Sequence, residues 1–400
     1  MITAPHQLFS TIWRLRLKIE ISRGRTKSDR SRRCLLLAGL VFLAVQLGVG
    51  LILDRSLPKI RFLYAEQVMN AAAGLSRSPD IVFMGSSRFR GGLNMGQLQE
   101  FMSTSFGADA PLMFNAALPA GDPFVMDYLI RLLARQGIAP GMAIIEVSPE
   151  TVMLGCPWTD FEIIRLITWQ DMPDALQDFI ASWKHISHLP SSRIIPISLY
   201  RKELLTWIFD SPPPYLKAAS AAAPPPDRSA APDVNKGSTP EPAEDSTKSQ
   251  PAEDSTKSQP AADSTKPQPV PGNAKLFRNY QIRGINAQHL ESMMAYLHQR
   301  NVSVILVGFP ADRVALDCYT PEINRKFMDY IEYLGRAYGC SFVDCRYRVP
   351  NEFFKDEVHL GPAGAVLFTH MLESEVLHDA WMNFRRSQKN EYSGVEGAGK

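Results

Sequence analysis

Cysteine is scarce in this chain of 400 residues: there are five, at positions 34, 156, 318, 340 and 345. No two stand at metal-site spacing, so neither a zinc ribbon nor a disulfide-dense scaffold is encoded. Buried thiols are the default, with oxidation of Cys318 by Cys340 or Cys345 as the open alternative. Net charge is also nearly absent, at +2 overall. Acids are missing where bases concentrate: residues 1–33 carry nine Lys or Arg and two acids, about +7, leaving 2 − 7 = −5 for the rest. Charge is absent altogether from the twenty residues 34–53. Aromatic residues all but vanish from 211–272, where Tyr215 stands among 14 of the 30 prolines.

Each absence has a structural meaning. A basic stretch alone suggests nucleic acid, but here it abuts an apolar run. As a helix, 34–53 measures about 30 Å, the hydrocarbon thickness of a bilayer. Gln46 is its one strongly polar residue. Arg30, Arg32 and Arg33 at its start argue against a buried core helix. No Ala-x-Ala-like cleavage site follows closely, so a retained signal anchor is expected rather than a cleaved leader. The flanking positive charge places the N-terminus in the cytosol and everything after Asp54 outside it, at the cytoplasmic (inner) membrane. Residues 211–272 repeat a nine-residue unit, Pro242–Gln250, then 251–259, then a drifted copy at 260–268. With no apolar face to stack, this reads as a disordered linker rather than a solenoid.

Either side of the linker the pattern is α/β. Apolar runs predict strands at 81–84, 112–115, 142–147, 302–307 and 341–343. Helical periodicity predicts helices over 123–137, 286–300 with Asn286 as N-cap, 321–338 after Thr320, and 362–378. Strands alternating with helices imply a parallel sheet between two helical layers. The expected organisation is a basic cytosolic tail (1–33), a membrane anchor (34–53), a first part of one domain (54–210), the linker (211–272), the second part (273–384) and a flexible tail (385–400). The stretch 150–210 is amphipathic and rich in tryptophan (158, 169, 183, 207), suited to a cap or a membrane-facing surface. Its His185 and His188, like His289 and His298, are expected at the surface or packed. No metal and no cofactor are implied.

Two motifs carry chemistry. Ile81-Val-Phe-Met-Gly-Ser-Ser-Arg88 reads as a buried strand delivering serine at its C-terminal edge, where parallel sheets gather active residues. Asp356-Glu-Val-His359 lies after the last predicted strand. A serine nucleophile needs a base, and the base needs an orienting acid. Glu146 is a charge inside an apolar strand, so it needs either an arginine partner or an edge position. Arg88, next to the serine, is a candidate contact for an anionic substrate group.

These motifs resemble those of the SGNH (GDSL-type) hydrolase superfamily over roughly 75–384, less the linker. The resemblance is greatest to its membrane-anchored branch, which includes the D-alanyl transfer protein of teichoic-acid modification and acetyl-transfer proteins of exopolysaccharide assembly. It implies Ser87 as nucleophile with Ser86 replacing the family's aspartate, His359 as base and Asp356 as its orienting acid. It implies an oxyanion hole drawn from Asn115-Ala-Ala-Leu-Pro-Ala-Gly121, with Gly121 as donor and Ala120 as the alternative. The family's third-block asparagine is missing; Ile144-Ile-Glu-Val-Ser-Pro149 offers Ser148 instead. The implied activity is acyl transfer to, or ester hydrolysis on, an envelope polysaccharide, with a multi-pass membrane protein supplying the acyl group. A non-catalytic assembly or carbohydrate-binding protein on the same fold is the competing expectation.

Overall fold

The computed structural model describes residues 27–56, 58–156, 163, 165–167, 195–197, 200–201, 204–205 and 276–397. In chain order the elements are α1 (Lys27–Ser56), α2 (Pro58–Ala73), β1 (Ile81–Met84), α3 (Ser87–Gly92), α4 (Met95–Phe106), β2 (Met113–Asn115), α5 (Pro123–Arg135), β3 (Met142–Val147) and α6 (Pro149–Val152). They continue with α7 (Ile285–His298), β4 (Ser303–Gly308), α8 (Arg313–Leu316), α9 (Pro321–Tyr338), β5 (Ser341–Asp344), α10 (Pro362–Leu372) and α11 (His378–Gly397).

The five strands form one sheet in the order β2-β1-β3-β4-β5, every pair parallel. Side chains alternate across β1: Val82 and Met84 join one apolar cluster, Ile81 and Phe83 the other. Helices α2, α5, α7 and α9 cover the first face; α4, α10 and the start of α11 cover the second. The result is a three-layer α/β/α domain, which is why β1 and β3 are apolar on both sides. Glu146 therefore sits in the central strand, not at an edge.

β3 and β4 are neighbours although some 155 residues separate their ends. Chain on both sides of the expected linker thus builds a single sheet, and the intervening stretch is an insertion into the β3-to-β4 crossover. Where it leaves and returns, Met153 and Ile282 form an antiparallel bridge, and the Leu154 N–H donates to the Gln281 carbonyl at 2.9 Å. The linker, the four tryptophans, His185 and His188 lie outside the described residues.

Differences from expectation are local. Gly284, at φ 87°, rather than Asn286, precedes α7, and Asn286 is buried in its first turn. The last helix does not stop near 378. It passes through a π-helical turn at Glu373–Leu377 and continues to Gly397, where a flexible tail was expected. Trp381 donates to the Asp109 carbonyl and Arg385 pairs with the Asp109 carboxylate, which holds this helix on the domain. All five cysteines are free thiols, so no Cys318 disulfide forms.

Helix α1 contains the stretch Arg30–Arg55, long and apolar enough to cross a membrane. Its side chains are exposed along residues 30–45. From there outward one helical face, Gln46, Gly50 and Leu53, is buried. The Gln46 side-chain carbonyl accepts a hydrogen bond from the Ile197 N–H at 3.3 Å.

Candidate active site

In the order β2-β1-β3-β4-β5 the chain leaves β1 toward β2 on one side and resumes at β3 on the other. Between the C-terminal ends of β1 and β3 the connections diverge, opening the crevice where such sheets bind ligands. Both motifs meet there.

After β1 the backbone turns at Gly85. A Cβ at this position would fall 2.5 Å from Glu146 Oε2 and 2.8 Å from Glu146 Cβ, so only glycine fits. Ser86 is the N-cap of α3: its Oγ accepts from the Arg88 N–H at 3.1 Å. Its own N–H donates to Glu146 Oε2 at 2.8 Å, and its hydroxyl lies 2.9 and 3.0 Å from the two carboxylate oxygens. Ser86 is thus spent on structure. Ser87, the first residue of α3 and partly exposed, places Oγ 2.8 Å from His359 Nε2.

His359 belongs to a tight loop closed by a Phe354–Leu360 bridge and by the Lys355 N–H donating to the His359 carbonyl at 3.0 Å. Asp356 opens that loop. Its carboxylate accepts from the N–H groups of Val358 (3.1 Å) and His359 (2.8 Å) and stands 2.9 and 3.0 Å from His359 Nδ1. A carboxylate can only accept, so the ring proton resides on Nδ1 and Nε2 presents its lone pair to Ser87. Partial burial alone would raise the Asp356 pKa. The two backbone N–H donors and the imidazole outweigh it and hold the carboxyl below its ordinary range.

The remaining expected site residues fall differently. Arg88, expected to face substrate, is buried (5% exposed) and turned to the protein interior. Its Nε meets Glu146 at 2.6 Å, one terminal nitrogen meets Glu150 at 2.7 Å, and the other donates to Ser148 Oγ at 2.9 Å. That geometry removes Arg88 from substrate contact and commits Ser148 to the arginine. Asn115 accepts from the Ala117 N–H and donates to the Phe89 carbonyl, tying the end of β2 to α3. The Gly121 N–H closes a turn onto the Leu118 carbonyl at 2.9 Å. With Pro119 second and Ala120 third at φ 51°, this is a type II turn. In such a turn the third residue's N–H points away from the closing hydrogen bond. The turn lies against the Gly85–Ser87 segment, because the Leu118 N–H donates to the Gly85 carbonyl at 3.0 Å. Ala120 carries the remaining N–H of this turn, and it holds a backbone conformation that L-residues rarely adopt.

Glu150 and Tyr319 belong to the site and were not singled out from sequence. Tyr319 Oη donates to Glu150 at 2.6 Å, and both line a cavity of about 460 Å³ with Leu276, Phe277 and the 356–359 loop. The only early signal was a glutamate directly after a strand-ending Ser-Pro. Burial opposes ionisation of Glu150, but the Arg88 guanidinium and the Tyr319 hydroxyl prevail and lower its pKa. Burial and then the Glu150 charge push the Tyr319 phenol far up, so it remains a hydrogen-bond donor. His289, on another face, stacks on Phe124 and pairs with Asp127.

No family model matches the chain, and no curated protein does. Among solved structures, LAE5, an alpha/beta hydrolase enzyme from the metagenome of Lake Arreo, Spain, aligns over 75% of this chain and 96% of its own. Identity is 9% and the TM-score 0.33, a level of similarity that lends no weight to any functional assignment.

Proposed function

We propose that this chain is a membrane-anchored serine acyltransferase or esterase of the SGNH type. In this reading its domain lies outside the cytosol and acts on acyl esters, acetyl in the first instance, of envelope polysaccharide. The supporting observation is the continuous hydrogen-bond chain from Asp356 through His359 to Ser87 Oγ at the topological switch of the sheet. His359 Nε2 takes the hydroxyl proton as Ser87 Oγ attacks the ester carbonyl, and Asp356 steadies the resulting imidazolium. The oxyanion is received by the backbone N–H groups of Ser87 and Ala120, standing in for the third-block asparagine. Collapse expels the leaving alcohol, protonated by His359, and leaves an acyl ester on Ser87. A hydroxyl of the acceptor then attacks the ester, its proton passing to His359, and collapse breaks the acyl bond to Ser87 Oγ, which takes that proton back. Water in that role makes the same machinery an esterase. The acyl donor is proposed to arrive through a multi-pass membrane partner.

Full-length protein and Ser87→Ala are to be compared with p-nitrophenyl acetate, by burst kinetics and intact mass. The expected result is a Ser87-dependent burst and an adduct of about +42 Da, one acetyl replacing a proton in a covalent acyl-enzyme. Identical behaviour of the two proteins would reject catalysis by Ser87. The non-catalytic reading draws on one observation: Ser148 Oγ accepts from Arg88 and donates its proton to Thr151 Oγ1 at 3.3 Å, which leaves no side-chain donor at the third block.

A further inference from the structure

We infer that Ile197 and Leu205 lie in the outer leaflet of the bilayer beside the anchor helix, with lipid acyl chains as their partner. This rests on reading 34–53 as a membrane anchor. Arg30, Arg32 and Arg33 fix the inner end of that span. From Cys34 to Val45 a helix rises only about 18 Å, well short of the roughly 30 Å of hydrocarbon it must cross. A span ending before Gln46 is therefore too short, and Gln46 lies inside the hydrocarbon, about 10 Å below Leu53 at 1.5 Å per residue.

Ile197 lies at the same depth, because its N–H donates to the Gln46 side chain at 3.3 Å. The two groups explain one another. A glutamine in hydrocarbon is costly unless it is paired. A backbone N–H there must find an acceptor, and Ile197, with Pro196 before it and helical backbone at both positions, has an N–H at a helix start with no acceptor in its own helix. Gln46 is 3% exposed on a helix whose inner part is bare. The buried stripe of Gln46, Gly50 and Leu53 shows protein covering one side of the outer third of the span. Farther along the same stretch Tyr200 packs inward at 2% exposed, while Leu205 stands 53% exposed. Arg201 is exposed between them, with a side chain long enough to carry its charge toward the headgroups.

The test uses full-length protein in phosphatidylcholine–phosphatidylglycerol nanodiscs, in a cysteine-free background. Nitroxides are attached at Leu205→Cys, at Leu40→Cys in the anchor and at Val314→Cys on the domain surface. Collisions with oxygen, which partitions into lipid, are compared with collisions with a water-soluble nickel chelate. The expected result is an oxygen-to-nickel ratio at 205 that matches position 40 and is several-fold above position 314. Nickel access at 205 with position 40 still immersed overturns the inference and leaves the anchor intact. Nickel access at both positions overturns the anchor reading itself. Shielding of 205 from both reagents means that another protein covers it, and overturns lipid as the partner.

Discussion

Arg88 is held between two buried glutamates, so the cluster behind Ser87 holds one guanidinium against two carboxyl groups. Glu146 does the larger share of the holding: it accepts from Arg88 and from both donors of Ser86, while Glu150 accepts from Arg88 and Tyr319. Glu146→Ala is expected to cost about 3–5 kcal/mol, the range for breaking a buried pair, because Arg88 keeps only Glu150 and both donors of Ser86 lose their acceptor. Glu150→Gln should cost less, since Arg88 retains Glu146 as counter-charge; urea unfolding of the two variants checks the order. The same pairing predicts the acid limb of stability. Glu150 and Asp356 both have lowered pKa values in the folded protein. Groups of this kind contribute stability above the unfolded carboxylate value of about 4 and lose it as pH falls through the depressed folded value. Melting temperature should hold between about pH 7 and 5 and fall below about 4. Glu150→Gln should flatten that fall. Asp356 is half exposed, and its share is discounted for solvent screening.

At the scale of elements, the turn from Leu118 to Gly121 is packed without spare room. A Cβ on Gly121 would meet the Gly85 carbonyl at 2.3 Å, a contact with backbone that no rotamer relieves. Gly121→Ala is therefore expected to destabilise by about 1–3 kcal/mol, typical of overpacking, and to displace the Ser87 segment; thermal melts and the acetylation rate read the two effects separately. The elements themselves were largely legible. Both-sided burial makes β1 an uninterrupted apolar run and β3 one broken only by Glu146, and Thr320-Pro321 at one end and Gly339 at the other mark the limits of α9. Asp356 and His359 were legible as a pair because one short loop contains both. Of the Arg88–Glu146–Glu150 cluster only the need of Glu146 for an arginine was legible; that the arginine is Arg88 and that Glu150 shares it was not, because partners about 60 residues apart meet only once β1 and β3 are set in register. The end of the last helix was missed for a similar reason: Trp381 and Arg385 find their partners near Asp109, far away in sequence.

For the whole molecule, the β3–β4 pairing makes the sheet indifferent to the length of the linker 211–272, while α7 and Ile163, Leu166 and Ile167 of the same connection belong to the core. Deletion of residues 215–270 is expected to leave the melting temperature within a few degrees of the full chain, as a polar, proline-rich stretch supplies little apolar surface to bury; a large fall would show that the insertion packs as part of the domain. The Met153–Ile282 bridge bears on the history of this chain as much as on its stability. A loop pinched shut at its base hardly registers its own length, each doubling costing only about 0.6 kcal/mol in closure entropy. Replication slippage that adds or removes a nine-residue unit would leave the crevice between β1 and β3 undisturbed, so repeat number can change without changing the sheet.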